Sequence, residues 1–424
     1  MQDTAAVFRA VVLGGDVGAY SLARHFHQNH GVRPTVVSGA VTGLMARSRI
    51  LTHVSEPRLE DPDVLVEVVR SLAPDDGVPT LVVASADRLV SVLVGVRDRL
   101  GAHVAVPYVA EPLLRRMTDK ASFSRLCEEL SVPHPTTVVA DLTTAEEPDT
   151  SGLTFPVFAK AASTVAYHQV RFPGKSKGFV VASREDLLDL LRWVREAGYR
   201  DSFLVQDLIP GDDSGMRILT SYADRSATVR YSSFGHVLLE EHAPSAIGNP
   251  AAILTARDET SVEHARRLLE HVGWTGWANF DLKLDPRTGR TVFFELNPRL
   301  GRSNYYVAAG QVDPVGPYVR EHVQGLAPFV SGAPDQAVPD HLFSVLPKHL
   351  LLRYLPEPAL RERVMAAYRS GQVHNPLWYG PERDPRRLAY LAASHANQVR
   401  KFARHYPVAA ARSRALEPAV RRAT

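Results

Sequence analysis

Cysteine is almost missing from this chain: Cys127 is the only one in 424 residues, which excludes a disulfide framework and a cysteine-built metal site. It falls in Asp119-Lys-Ala-Ser-Phe-Ser-Arg-Leu-Cys-Glu-Glu-Leu130, where Phe123, Leu126, Cys127 and Leu130 share one helical face. A packed core thiol is expected there, not a nucleophile. A strong charge imbalance is missing too, since a net charge of +3 offers no whole-chain reason to bind nucleic acid. No apolar run reaches the length of a membrane span. The first residues lack a basic flank and an apolar stretch with a small-residue cleavage site, so no signal peptide is read and a cytoplasmic location is expected.

What is present is ordinary for a globular chain: 45% hydrophobic and 22% charged residues. The length calls for roughly two to four domains or subdomains. Phe8 to Leu13 is a short apolar run ending in Gly14-Gly-Asp-Val-Gly18, followed by Tyr20, Leu22, Ala23 and Phe26 at helical spacing. That is strand, tight turn and helix, the first unit of a doubly wound α/β sheet. The glycines do not fit the dinucleotide fingerprint, and Gly31-Val-Arg-Pro-Thr-Val-Val37 lacks the acidic ribose partner, so NAD is disfavoured. Further strands are read at Pro34 to Val37 and Thr80 to Ala84, with helices around Val64 to Leu72 and Val90 to Leu100. Asp16 either caps the first helix or joins Gly15 and Ser85-Ala-Asp87 in contacting substrate.

The most informative stretch is Thr291-Val-Phe-Phe-Glu-Leu-Asn-Pro-Arg-Leu-Gly301, with Trp277-Ala-Asn-Phe-Asp-Leu-Lys-Leu284 before it and turn chemistry at Asp285-Pro-Arg-Thr-Gly289 between. It reads as a β-hairpin. Adjacent antiparallel strands can hold Asp281 and Glu295 side by side on one face, with Asn297 following as the strand breaks at Pro298. Carboxylate, carboxylate and amide oxygen suit Mg²⁺ that keeps phosphates and water as its other ligands. A bridging Glu295 could hold two such ions about 3.5–4 Å apart. The plain alternative is polar punctuation at a sheet edge. Ser202 to Asp213 is an apolar strand running into a turn, whose backbone can hydrogen-bond an adenine edge while Leu208 and Ile209 pack on its face. Arg217, on the next strand, faces either a transferring phosphoryl group or a cross-strand carboxylate. Arg299 carries a bidentate guanidinium suited to a substrate carboxylate or an acyl phosphate, with Arg302 a weaker candidate.

The order Asp281, Glu295, Asn297 within Glu-x-Asn-Pro-Arg-x-Gly resembles the ATP-grasp superfamily. The resemblance implies an α/β and α+β architecture: an N-terminal doubly wound α/β domain over 1–117, a two-lobed ATP-grasp fold over 118–325 and a mostly helical extension over 326–424. Met117-Thr-Asp-Lys120 followed by Val132-Pro-His-Pro-Thr136 resembles the entry into the ATP-grasp lobes, which makes Lys120 a phosphate contact or a solvated helix-start lysine. Phe155-Pro-Val-Phe-Ala-Lys160 matches the family strand that ends in a lysine meeting the nucleotide phosphates. Gly174-Lys-Ser-Lys-Gly178 takes the place of the phosphate-covering flap, longer and poorer in glycine than usual. Lys177 is the candidate there, with Lys175 the other choice.

On the family hinge Glu-x-x-x-x-Gly-x-Glu, Gln206 takes the first acidic position, where its amide oxygen can accept from the adenine amine. Asp213 takes the ribose position. Asn375-Pro-Leu-Trp-Tyr379 and the region around Arg400-Lys-Phe402 resemble the extension of bacterial carboxylate–amine ligases close to D-aspartate ligase. The resemblance therefore implies ATP and two Mg²⁺ ions, with Mn²⁺ able to substitute. The implied partners are a small carboxylate such as an amino acid and an amine acceptor, with catalytic roles for Arg299 and Arg217. A peptide-forming ligase of secondary metabolism and an ATP-binding subunit without catalysis are the alternatives. Assembly is left open, a homodimer among the options. Tyr231 to Glu241 reads as a strand pair turning at Ser233-Phe-Gly235.

Overall fold

The computed structural model describes residues 7–162, 167, 169–176, 178–244 and 246–408. β1 (Arg9–Leu13) leads through Gly14, Gly15 and Asp16 into α1 (Val17–His30), whose first turn is capped by Asp16 accepting from the Ala19 amide. β2 (Thr35–Ser38), β3 (Thr52–Ser55), α2 (Pro62–Leu72), β4 (Thr80–Ala84), α3 (Asp87–Gly95) and β5 (Val104–Ala105) follow. The strands form a parallel sheet in the order β3-β2-β1-β4-β5. Side chains of β1 alternate across it: Val12 meets Tyr20 and Phe26 of α1, while Val11 and Leu13 meet Leu65 of α2 and Leu93 of α3. Helices on both faces make this the expected doubly wound unit. β3 and β5 were not legible in sequence, because one is a half-exposed edge strand and the other has two residues.

Gly14 is the one glycine of this turn that geometry demands. Its φ is +128° and a Cβ there would fall on the Ser85 side chain, a conformation and a contact that other residues do not tolerate. The close approach brings the ends of β1 and β4 together, and so Asp16 near Asp87.

α4 (Glu111–Thr118) and α5 (Lys120–Glu129) connect to the next sheet, with Asp119 between them capping α5 through the Ser122 amide at 2.8 Å. Cys127 is fully buried among the residues packed beneath α5. β6 (Thr137–Asp141), β7 (Val157–Ala161), β8 (Phe179–Val181) and β9 (Ser202–Asp207) form an antiparallel sheet in the order β6-β9-β7-β8. α6 (Arg184–Glu196) covers it through Leu187, Leu191 and Val194.

The third sheet runs β14-β13-β10-β11-β12-β15-β16. Its members are β10 (Met216–Ala223), β11 (Val229–Glu240), β12 (Pro250–Ala256), β13 (Gly276–Asp285), β14 (Arg290–Asn297), β15 (Leu342–Ser344) and β16 (Val373–His374). One face packs on α5 and α7 (Glu259–Val272). The other packs on α8 (Tyr305–Ala309) and on the C-terminal helices α9 (Gly316–Val319), α10 (Lys348–Arg353), α11 (Pro358–Arg369) and α12 (Pro385–His405).

One sequence expectation needs correction. Tyr231 to Glu241 does not turn at Gly235; β11 is continuous across it. Gly235 is required for packing instead, since a Cβ would stand 2.5 Å from Ile253 Cγ2 and 2.9 Å from Ile218 Cγ2 on the flanking strands. The C-terminal segment is mostly helical, as expected, and its short strands β15 and β16 extend the large sheet beyond β12.

Cys127→Ala is expected to lower stability by about 1 kcal/mol in urea denaturation while leaving turnover intact. Gly14→Ala should cost about 1–3 kcal/mol, measured in the same way, because a positive φ and the Ser85 contact are both violated.

Candidate active site

The hairpin of β13 and β14 builds the centre of the site. Asp281 pairs directly with Glu295 and Asn279 with Asn297, whereas Phe280 pairs with Leu296 and Leu282 with Phe293. Alternation therefore sends the polar set to one face and the apolar set to the other, where Phe280 and Phe293 pack at 5.4 Å between ring centroids. The register shifts between Asp281 and Leu282, leaving Phe294 as the extra residue of a bulge. The shift keeps both carboxylates on one side despite the odd residue.

Lys120, the first residue of α5, reaches back to Glu295 with Nζ 3.2 Å from Oε2. Glu295 chiefly raises the affinity of that ammonium for its proton, and burial opposes the effect. Lys160, at the end of β7, faces the same group from the smaller sheet. Burial lowers its pKa, Glu295 supports its charge and Lys120 opposes it. Burial would raise Glu295, but the two lysines outweigh it and hold this carboxyl well below the usual range. Asp281 behaves oppositely: burial and then Glu295 push its pKa up. Its Oδ2 accepts from Asn297 Nδ2 at 3.1 Å, and among the described residues it has no ion-pair partner.

Two adjacent half-buried carboxylates, one of them without an ion-pair partner among the described residues, are a donor set that fits a hard divalent cation. No three Asp, Glu, His or Cys side chains among the described residues suffice for a metal by themselves. Asn297, which pairs with Asn279 in the same hairpin, adds an amide beside them.

Arg299 joins this centre to the N-terminal sheet. Its Nη2 lies 2.9 Å from Asp87 Oδ2. Burial opposes its charge, but Asp87 and, more weakly, Asp16 and Asp281 sustain it. Arg299 Nε and Asp87 Oδ1 are buried with no hydrogen-bond partner, one donor and one acceptor left over on the two members of this ion pair. Arg302 pairs with the buried Glu241 at 3.2 Å. Its Cα stands 3.0 Å from where a Cβ on Gly18 would lie, so α1 rests directly against the loop after β14.

The remaining candidates divide. Gln206 is buried on β9 and donates from Nε2 to Thr137 Oγ1 at 3.0 Å. Ile209 is buried, and its carbonyl accepts from Lys283 Nζ at 2.9 Å, as does that of Gly211 at 2.8 Å. Asp213 does not stand free: Oδ2 accepts from the Glu240 amide at 3.0 Å and meets His242 Nε2 at 2.7 Å. His242 in turn stacks on Tyr406 with centroids 3.5 Å apart. Lys175 is tied to its own loop through the Tyr167 and Val170 carbonyls at 2.8 and 2.7 Å. Lys177 lies outside the described residues.

Arg217 is a correction. It pairs with Leu282 while Ile218 pairs with Asp281, so the pleat turns Arg217 to the far face of the sheet. There it donates to the Ser214 and Met216 carbonyls, burial lowers its pKa, and Asp258 is the nearest supporting carboxylate. It cannot meet a phosphoryl group held by Asp281 and Glu295. Neither Glu240 nor Lys283 was singled out from sequence. Burial, then Asp213 and Asp281, push Glu240 well above the carboxylate range. Two acids closing an apolar strand, Glu240 and Glu241, were the available signal.

No protein-family model matches the chain. It is 30% identical over 414 residues to a D-aspartate ligase of Enterococcus faecium (strain Aus0004), across 95% of this chain and 97% of that protein. Among solved structures it resembles an N5-carboxyaminoimidazole ribonucleotide synthetase from Thermus thermophilus, with a TM-score of 0.54 at 17% identity over 77% of this chain and 81% of that one. It also resembles an L-amino acid ligase from Bacillus licheniformis, with a TM-score of 0.51 at 14% identity over 72% and 70%. Those two likenesses concern the fold.

Glu295→Gln is expected to lower turnover by about 10² or more, with thermal midpoint little changed. Arg217→Ala should leave turnover close to that of the parent protein in the same assay. Equal loss in both would remove the distinction between the two faces of the sheet.

Proposed function

The chain belongs to the ATP-grasp carboxylate–amine ligases related to D-aspartate ligase, ATP-dependent enzymes that form carbon–nitrogen bonds, and from that premise we propose its substrates and the roles of its residues. The donor is an amino acid of the D-aspartate type. The acceptor is an amine on a peptidoglycan precursor, and the reaction runs in the cytoplasm, where ATP and both substrates are supplied.

A carboxylate acylates an amine poorly because oxide would have to leave. Transfer of the γ-phosphoryl group of ATP to a carboxylate oxygen gives an acyl phosphate and ADP. The amine nitrogen then bonds to the acyl carbon, the carbon–oxygen bond to phosphate breaks, and the amide and inorganic phosphate result. In this scheme Lys160 and Lys120 neutralise phosphate charge from opposite sides of the cleft, and Lys160, already costly to keep charged where it is, gains most from an anion. Gln206 and the Ile209 backbone receive the adenine, with Lys283 holding the hinge carbonyls in place. Asp213 orients the ribose end, itself positioned by His242. Lys177 belongs to the flap over the phosphates.

Asp281, Glu295 and Asn297 are the residues that would hold Mg²⁺ or Mn²⁺. The cation, when bound, offsets the charge of the triphosphate.

The observation that carries the amino-acid reading is the pair of leftover polar atoms on Arg299 and Asp87. A guanidinium N–H without an acceptor suits a carboxylate, and a carboxylate oxygen without a donor suits an ammonium. An α-amino acid carries both groups. That Arg299 also feels Asp281 supports a donor held within reach of the phosphoryl group it must receive.

A panel of amino acids and amine acceptors, scored by phosphate release, tests the assignment. ADP and phosphate should appear only when both substrates are present, with D-aspartate among the best donors. Preference for a free amino acid as acceptor would favour a small-peptide ligase, and tight ATP binding with no phosphate release for any pair would favour a binding subunit. Arg299→Lys is expected to raise the donor KM about 10-fold to 100-fold while the KM for ATP holds. A change confined to ATP would take Arg299 out of donor binding.

A further inference from the structure

A second recess lies away from the acid pair, between α1 and the C-terminal segment. It is a cavity of about 440 Å³, within the usual size of a small-ligand site. Arg24, Lys348, His374, Asn375 and His395 line it together with the ring of Trp378, and among the described residues no aspartate or glutamate does.

The charge in it is uncompensated. Arg24 is buried, 9% exposed, and its guanidinium is fixed by the carbonyls of Asn375, Pro376 and Trp378 at 3.0, 2.8 and 3.0 Å and by Gln28 at 3.2 Å. It also lies 4.8 and 4.5 Å from the ring centroids of Tyr305 and Tyr379. All of those bonds use Nη1 and Nε, and the described residues offer Nη2 no acceptor. No carboxylate supports its charge, and burial lowers its pKa. Lys348 meets only the Tyr368 ring, at 4.6 Å, and His395 Nε2 is buried without a partner. A buried cation normally has a carboxylate beside it, since an unpaired one is costly. Here its place is left to something from outside the described chain.

We propose that this cavity is an anion-binding subsite that takes a carboxylate or phosphate group at the far end of the amine acceptor, a claim that rests on the ligase reading above. Arg24 stands eight residues along α1 from Asp16, roughly 12 Å at the helical rise. An amino acid held at Arg299 does not span that distance, whereas an extended peptide-like acceptor of about four residues does. In the ligase reading the nucleotide lies on the other side of the acid pair, against Lys160 of β7 and Gln206 of β9. That leaves the acceptor as the substrate long enough, and on the correct side, to touch both places. Trp378, 44% exposed at the rim, offers an apolar face to the chain in between.

The test uses Lys348→Glu, because Arg24 also holds the turn at 375–378 and its replacement risks the fold. With the full chain saturated in ADP in metal-free buffer, citrate titrated by calorimetry should bind the parent protein and bind the variant about tenfold more weakly or worse. Equal affinity would overturn the anion site. In the ligation assay, an acceptor bearing a distal carboxylate or phosphate should show a KM raised about tenfold or more in the variant, with the KM values for ATP and donor within about twofold. An acceptor truncated to lose the distal anion should not tell variant from parent. A rise in donor KM, or an equal penalty on the truncated acceptor, would overturn the assignment to the acceptor. If no acceptor is used at all, the ligase reading fails and the acceptor assignment with it, while the citrate titration still decides whether the cavity takes anions.

Discussion

Two carboxylates side by side, Asp281 and Glu295, are the constraint around which the molecule is arranged. Like charges on directly opposed residues of neighbouring strands repel, and in a recess withdrawn from water the cost rises. The fold answers the repulsion unequally. Lys120 comes from a helix start on one side and Lys160 from a separate sheet on the other, and both act on Glu295. Asp281 has no ion pair among the described residues; it accepts an amide N–H from Asn297 and feels Arg299 more weakly. The asymmetry leaves one carboxyl satisfied and the other waiting, the arrangement expected when a cation is to arrive with the substrate and not before. It also ties three separate elements, β7, α5 and the hairpin, to a single charge cluster, so the cleft between the sheets is closed by electrostatics where packing leaves it open.

The N-terminal sheet is brought to that cluster by backbone contact. Gly18 permits α1 to lie against Arg302, and Asn304 donates to the Gly18 carbonyl at 3.1 Å while accepting from Ser21. A side chain at Gly18 would hold the helix off. The consequence is functional as well as structural. The loops at the carboxyl ends of β1 and β4, where an open parallel sheet presents its ligands, arrive with Asp16 and Asp87 facing Arg299. The guanidinium bonds Asp87 and feels Asp16 more weakly, and its unused N–H is fixed in direction by the bond to Asp87.

Much of this was legible in the sequence, for identifiable reasons. Strong period-two alternation between Trp277 and Leu284, a turn at Asp285 to Gly289 and a β-rich return strand made the hairpin legible, but the register set by the turn alone would oppose Asp281 to Phe294, and the bulge that pairs it with Glu295 instead carries no sequence signal. Arg217 was not legible because its face depends on pairing with a strand sixty residues later, and a shift of one residue reverses the answer. Asp213 could be placed on the hinge, but not its engagement with His242, which the backbone brings in from the far end of β11. Gly235 misled because an isolated glycine in a strand signals either a turn or a close contact, and only the neighbours Ile218 and Ile253 decide between them. The two residues of β16 carry no pattern at all.

The C-terminal segment gains a role once its strands are seen to extend the large sheet. A helical tail packed on the surface could be discarded without touching the site. Here β15 pairs with β12, and α12 sends Arg387 under α1 to donate to the Leu44 carbonyl and to lie over Tyr20 at 4.5 Å. Glu382 is reached by Ser48, Tyr20 and the Arg49 amide. The segment therefore clamps the N-terminal sheet against the large one from behind, across the same α1 whose first turn rests on Arg302. Movement of one sheet relative to the other would have to break buried bonds to Arg24, Arg387 and Glu382 together, each of which is expensive to leave unmade. The junction that positions Arg299 and Asp87 is thus rigid by construction, and the freedom needed to admit nucleotide falls to the smaller sheet of β6 to β9, whose own core is separate.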